Sequence, residues 1–215
     1  MSVSAEDREL AGTGANRRDF LVLLAGALSV VGAAAAIWPF IDSMNPASDV
    51  IAAGAPIDFD LSPLKPGQQI LIMWQSKPIF VVRRTAAYLD TLRKPQDIKL
   101  LRDPNSHVNQ QPPYAENWHR SIVPEYAVLV GICTHLGCIP HFVPKAGGFL
   151  GPSWPGGYFC PCHGSKYDFA GRVWTGVPAP YNLPVPPYHF VDNTTIRIGE
   201  NPKGSNWEFS SIVQL

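Results

Sequence analysis

All four cysteines of this chain fall in two short boxes, Cys133-Thr134-His135-Leu136-Gly137-Cys138 and Cys160-Pro161-Cys162-His163-Gly164-Ser165, separated by residues 139–159. Each box pairs thiols with an imidazole, the protein donors that iron and zinc prefer. Two thiolates and two imidazoles, with two thiols left over, best suit a [2Fe–2S] cluster with one iron on two Cys and the other on two His. A tetrahedral zinc ion is the rival for the same donors. Structural zinc loops usually space their ligands Cys-x-x-Cys, whereas here one or two residues separate Cys from His within each box. A redox dithiol fits worse, because Cys160 and Cys162 form Cys-x-Cys. Four cysteines are too few for a disulfide scaffold in 215 residues, and they allow three pairings.

Such a site needs rigid elements beneath it, and the flanking pattern is β. Ile70–Trp74 and Ile79–Arg83 read as a hairpin around Gln75-Ser76-Lys77-Pro78. Tyr126–Val130 is a buried strand leading into the first box. Arg172–Trp174 and Thr194–Ile198 read as strands beyond the second, the latter after a turn at Asp192-Asn193. Thr85–Lys94 fits one helix, with Thr85 as N-cap and Ala86, Leu89 and Leu92 at helical spacing. Residues 96–124 are polar and proline-bearing and read as loop. The fold class that follows is mainly β: an antiparallel domain over residues 56–215, with a cluster-binding subdomain inserted at about 125–182. The 22 prolines and 18 glycines suit short strands and shaped loops. His107, His119, His141 and His189 lie outside the boxes and are expected on the surface or in loops.

The N-terminus sets the compartment. Asn16-Arg17-Arg18-Asp19-Phe20-Leu21 has the form of a twin-arginine export signal, which implies residues 1–19 in the cytoplasm. Residues 20–41 carry no charge, and as a helix they would span about 33 Å at ~1.5 Å per residue, enough to cross a bilayer core. Basic residues precede this run and none follows before Lys65, which places the remainder outside, in a periplasm. A cleaved signal peptide is the alternative, but the run is long for one and ends on Trp38-Pro39-Phe40, an interfacial aromatic pair. Residues 42–55 are small and without hydrophobic period, and read as a tether acting as a hinge. Acidic and basic residues balance at 17 each, giving no reason to expect nucleic acid.

The boxes resemble those of the Rieske iron–sulfur family. With the export signal, single anchor and tether, the chain is similar to the members that serve bacterial cytochrome bc complexes, the ubiquinol–cytochrome c reductases. That resemblance implies an antiparallel β-sandwich, one [2Fe–2S] cluster ligated by Cys133, His135, Cys160 and His163, and a disulfide between Cys138 and Cys162. It implies that Ser165 and Tyr167 donate hydrogen bonds that raise the cluster's potential. It also makes His163 the catalytic group, bonding the quinol hydroxyl and accepting its proton. Leu136 and Gly137 would lie on the docking tip, and Gly176, Pro178 and Pro180 in a covering proline loop, where Val177 looks like an insertion. Residues 149–157 would form an extra loop on the cluster domain. The implied partners are a cytochrome b subunit, a c-type cytochrome subunit and ubiquinol, in a homodimer of heterotrimers in the bacterial inner membrane. The implied function is quinol oxidation coupled to proton release outside. Two relatives remain as alternatives: the Rieske subunit of a periplasmic oxidoreductase such as arsenite oxidase, and a plastoquinol-type complex.

Overall fold

The computed structural model describes residues 16–45 and 54–214. It divides into two units, Met1–Val50 and Ile51–Leu215, of which the described part of the first is one helix. This helix, α1, runs Arg17–Asp42, 26 residues or about 39 Å, and is long and apolar enough to cross a membrane. Ser29 spends its hydroxyl on the Ala25 carbonyl at 2.7 Å, so no polar group in the apolar stretch is left without a partner by that residue. Of the expected tether, residues 46–53 lie outside the described residues.

The second unit rests on three antiparallel sheets of three strands. In the central one, β2 (Gln69–Trp74), β3 (Lys77–Arg83) and β4 (Tyr126–Val130) are neighbours in that order. The β2–β3 turn has only two residues, Gln75 and Ser76, at φ 49° and 59°. Positive φ at both positions gives the turn whose twist matches a hairpin. Lys77 and Pro78, expected in the turn, therefore belong to β3. Pro78 is tolerated because it sits near the strand's start, before pairing with β4 begins at Ile79 opposite Val130. Pro78 to Val82 are all buried, as a strand covered on both faces must be.

A second sheet has the order β1 (Ile57–Asp60), β9 (Thr195–Ile198), β8 (Tyr188–Phe190). Ile196 and Ile198 face the core, while Arg197 faces out and grips Asp58 at 2.6 and 2.8 Å. Asp192 Oδ1 closes the preceding turn by accepting from Thr194 and Thr195 N–H. Both sheets contribute to one core containing Trp74, Phe80, Val128, Leu129, Tyr188 and Ile196. The third sheet, β5 (His141–Val143), β6 (Gly157–Phe159) and β7 (Lys166–Tyr167), carries the boxes. It is locked to the central sheet by Tyr158, whose ring stacks on Phe80 at 5.4 Å and 3°.

Three sequence expectations need correction. The helix capped by Thr85, α2, ends at Thr91, and a second short helix, α3, covers Pro95–Ile98. Pro95 cannot continue a helix but suits the first turn of one. Arg172–Trp174 makes only isolated bridges, Tyr167 to Val173 and Leu101 to Trp174, because the chain turns tightly there around Asp168. Residues 96–124 are loop apart from the end of α3 and a single helical turn at Pro113–Ala115, yet much of the stretch is interior: Ser106, Gln110, Gln111, His119, Arg120 and Ser121 are all buried. His119, expected on the surface, is 8% exposed and bonds Ser121 Oγ at 2.8 Å. Arg84 and Arg120 make this possible by donating to main-chain carbonyls of residues 119, 124, 126, 169 and 170. A guanidinium has five donors in a fixed fork, so one buried arginine satisfies several loop carbonyls that would otherwise be orphaned.

Candidate metal centre

The two boxes fold into two loops with the same backbone lock. In the first, between β4 and β5, the Cys133 N–H donates to the Cys138 carbonyl at 2.7 Å and the Gly137 N–H to the Cys133 carbonyl at 3.0 Å. In the second, between β6 and β7, Cys160 donates to Ser165 at 2.8 Å and Gly164 to Cys160 at 2.9 Å. The glycines take φ +82° and +80°, conformations a side chain would strain. This lock explains the shared Cys-x-x-x-Gly spacing. The histidines do not occupy equivalent places: His135 is third in its loop and His163 fourth.

Cys138 and Cys162 form a disulfide, with Cα atoms 6.7 Å apart, that joins the loops. Cys133 and Cys160 remain free thiols, each 1% exposed. The sulfurs of Cys138, Cys160 and Cys162 lie within 4.8 Å of one another, but the disulfide pair holds no thiolate, so only Cys160 of that trio can ligate. Burial pushes the Cys160 thiol up, the N–H groups of Cys162 and His163 pull it down, and the Cys133 thiol beside it adds to the rise. The two free sulfurs thus share one dry spot with amide donors aimed at it. The His135 and His163 rings meet edge to face, 4.7 Å between centroids. His135 Nδ1 is buried with no hydrogen-bond partner among the described residues, which is costly unless it ligates. His163 is exposed, in contrast to His135.

The remaining predicted residues surround this point. Tyr167 Oη lies 3.2 Å from Cys133 Sγ and accepts from the Thr134 N–H at 3.3 Å. Burial and the neighbouring Cys133 hold the phenol well above its ordinary range, so it stays a donor. Ser165 Oγ is fully buried and accepts from the Ala179 N–H at 3.1 Å, which leaves its own proton free to turn inward. Ala179 is the middle of the proline-rich segment: Gly176 and Pro178 are exposed, Pro180 half-buried. Val177, expected to be an insertion, packs inward on the core while Arg102 holds its carbonyl at 3.3 Å. Leu136 is 71% exposed at the outer end of the first loop, next to Gly137.

Thr134 was not singled out by sequence reasoning, though a hydroxyl between Cys133 and His135 was the available signal. It is fully buried, and its Oγ1 donates to the Tyr181 carbonyl at 2.7 Å and accepts the Tyr181 N–H at 3.4 Å. It thereby clips the proline segment to the first loop. Residues 144–156 leave β5, make a short turn at Gly148–Leu150 and return to β6. Trp154 anchors them, 1% exposed against Trp174 at 5.4 Å.

The residues present fit an iron–sulfur cluster: two buried thiols, a buried unpartnered imidazole nitrogen, a second imidazole beside it and donors to spare. Comparison with known proteins agrees. Residues 9–47 match the model of the ubiquinol–cytochrome c reductase Fe–S subunit TAT signal, and residues 91–188 match the Rieske [2Fe-2S] domain. The ubiquinol-cytochrome c reductase iron-sulfur subunit of Allochromatium vinosum is 48% identical over 88% of this chain and 91% of its own. That of Blastochloris viridis is 49% identical over 86% and 93%, and that of Rickettsia typhi 44% over 85% and 93%. Among solved structures, a chain of a hyperthermophilic respiratory Complex III aligns over 81% of this chain and 98% of its own, at 26% identity and a TM-score of 0.46.

Proposed function

We propose, from the premise that this chain belongs to the family of ubiquinol–cytochrome c reductase iron–sulfur subunits, that it takes electrons from membrane ubiquinol and passes them to a c-type cytochrome. It is a Rieske [2Fe–2S] protein and a subunit of a quinol oxidoreductase. Its cytochrome b and c-type cytochrome partners, a homodimer of heterotrimers, an N-terminus in the cytoplasm and a periplasmic head are parts of the same proposal. When bound, the cluster supplies a one-electron site whose mixed nitrogen and sulfur ligation places it at about −150 to +300 mV.

The observation that carries the proposal is the asymmetry of the two imidazoles. Cys133 and Cys160 would hold one iron from buried positions, and His135 and His163 the other. His163 alone of the four is exposed. In this reading it accepts a hydrogen bond from a quinol hydroxyl and takes its proton, which then leaves to the outside; its exposure supports that role. Leu136, which follows His135 in the first loop and is 71% exposed, offers an apolar tip that excludes water from a docked quinol site. Ser165 and Tyr167 donate toward the sulfurs, and such donors favour the electron-rich form. The disulfide and the Thr134 clip fix the loops around them. The head moves on the tether 42–55 between its two partners, a reading supported by that segment's small-residue composition.

The test is Leu136→Asp in the assembled membrane complex. We expect the visible and EPR signatures of the cluster to persist while ubiquinol-dependent cytochrome c reduction falls at least about tenfold, the effect of placing a charge in a desolvated contact. Undiminished turnover would contradict a quinol-site role for this tip.

A further inference from the structure

Asn182 lies beyond the proline segment and is 1% exposed. Its side chain is fully used. Oδ1 accepts from the Val173 N–H at 2.8 Å, and Nδ2 donates to the Asp103 carbonyl at 3.1 Å and to Ser106 Oγ at 3.3 Å. Val173 is the bridge partner of Tyr167. Tyr181, the residue before Asn182, has both its N–H and its carbonyl on Thr134 Oγ1. Thr134 in turn meets Tyr167 Oη through its N–H and its Oγ1, each at 3.3 Å. These contacts close a ring: Tyr167, Val173, Asn182, Tyr181, Thr134 and back to Tyr167. Cys133 Sγ sits on it, 3.2 Å from the phenol oxygen.

The ring decides where one proton goes. Tyr167 Oη accepts the Thr134 N–H, so its own hydrogen has two destinations, Cys133 Sγ or Thr134 Oγ1. With Tyr181 held in place, Thr134 Oγ1 donates to the Tyr181 carbonyl and takes the Tyr181 N–H on one of its two lone pairs, so the phenol hydrogen divides between the other lone pair at 3.3 Å and Cys133 Sγ at 3.2 Å. If Tyr181 drifts, both lone pairs of Thr134 Oγ1 are open to the phenol hydrogen and the balance moves away from the sulfur. Asn182 is the side chain that ties this stretch both to Val173 and to the Asp103–Ser106 turn, whose Ser106 is buried.

We propose that Asn182 is a positioning residue that directs the Tyr167 hydroxyl onto the Cys133 sulfur and so raises the cluster's reduction potential. This rests on the ligand assignment above. A donor to a ligating sulfur stabilises the added electron, and losing its aim weakens that preference.

The experiment is an EPR-monitored redox titration of the membrane-bound holoprotein as wild type, Asn182→Ala, Tyr167→Phe and the double variant. Asn182→Ala should move the one-electron equilibrium toward the oxidised form by about threefold or more, the scale of one net hydrogen bond. In the Tyr167→Phe background the same substitution should add nothing. An unchanged potential in Asn182→Ala overturns the proposal, as does a shift that adds in full to that of Tyr167→Phe, or a Tyr167→Phe variant with no shift of its own. Should Asn182→Ala fail to retain its cluster, Ser106→Ala removes one acceptor of Nδ2 more gently. It must shift the potential in the same direction, and an unchanged value there is equally fatal. A wild type without a Rieske signal would overturn the ligand assignment and the proposal together. A normal wild type with insensitive variants overturns the proposal alone.

Discussion

Ser165 combines two jobs in one hydroxyl. It accepts the Ala179 N–H, which pins the covering segment, and this leaves its hydrogen available to the site. Ser165→Ala should therefore lower the reduction potential by about 1–2 kcal/mol of preference for the reduced form, read by redox titration. An unchanged potential would mean that the hydroxyl only braces the loop. His119 shows a different residue-scale effect. Burial, and then the Arg84 guanidinium, hold its imidazole down at about 4 instead of 6.5. Between those values the unfolded chain binds a proton that the folded chain refuses. Stability present above the unfolded value is thus lost as pH falls toward the folded one. His119→Gln should flatten this limb in denaturant midpoints taken from about pH 7 to about pH 4.5. Identical slopes in wild type and variant would contradict the assignment.

Elements explain which parts of the molecule were readable in advance. The proposed ligands come from two contiguous loops, each closed by hydrogen bonds within six residues, so the chemistry is written locally and is legible from spacing. The strands Ile79–Arg83 and Tyr126–Val130 are legible because Ile79–Val82 and Ala127–Val130 are runs of buried apolar residues. The interior of residues 96–124 was not, because its partners lie far off: Arg84 reaches the Phe169 carbonyl 85 residues away, and Asn182 reaches Ser106 across 76. No periodicity records such pairs. The hairpin turn was read too long because Gln75 and Ser76 lack the glycine or asparagine that usually marks positive φ. Ser76→Gly should accordingly stabilise the domain by about 1 kcal/mol, seen as a higher denaturant midpoint; a lower midpoint would deny the strain. In the segment between the boxes, Trp154→Ala should cost about 3–5 kcal/mol, since it empties the contact with Trp174 and removes the indole N–H that meets the Val143 carbonyl at 3.2 Å. A loss under about 1 kcal/mol would show that this segment is not anchored there.

At the scale of the whole molecule, the apolar helix and the export-signal match fit a membrane-anchored Rieske subunit. The twin-arginine route carries folded cargo, which suits a site that must close around its cofactor before export. Arg17→Lys with Arg18→Lys should leave the head on the cytoplasmic side, detected by protease protection in spheroplasts; normal export would refute the signal. The sequence boxes, the locked loops and the family relationship converge on a Rieske [2Fe–2S] centre, which we propose to face a quinol. The most direct measurement is the EPR spectrum of the reduced, membrane-bound protein with and without a quinol-site inhibitor. The account predicts a rhombic signal whose average g-value lies below that of the free electron and whose line shape changes when the inhibitor binds. A preparation without acid-labile sulfide, or a spectrum indifferent to the inhibitor, would contradict it.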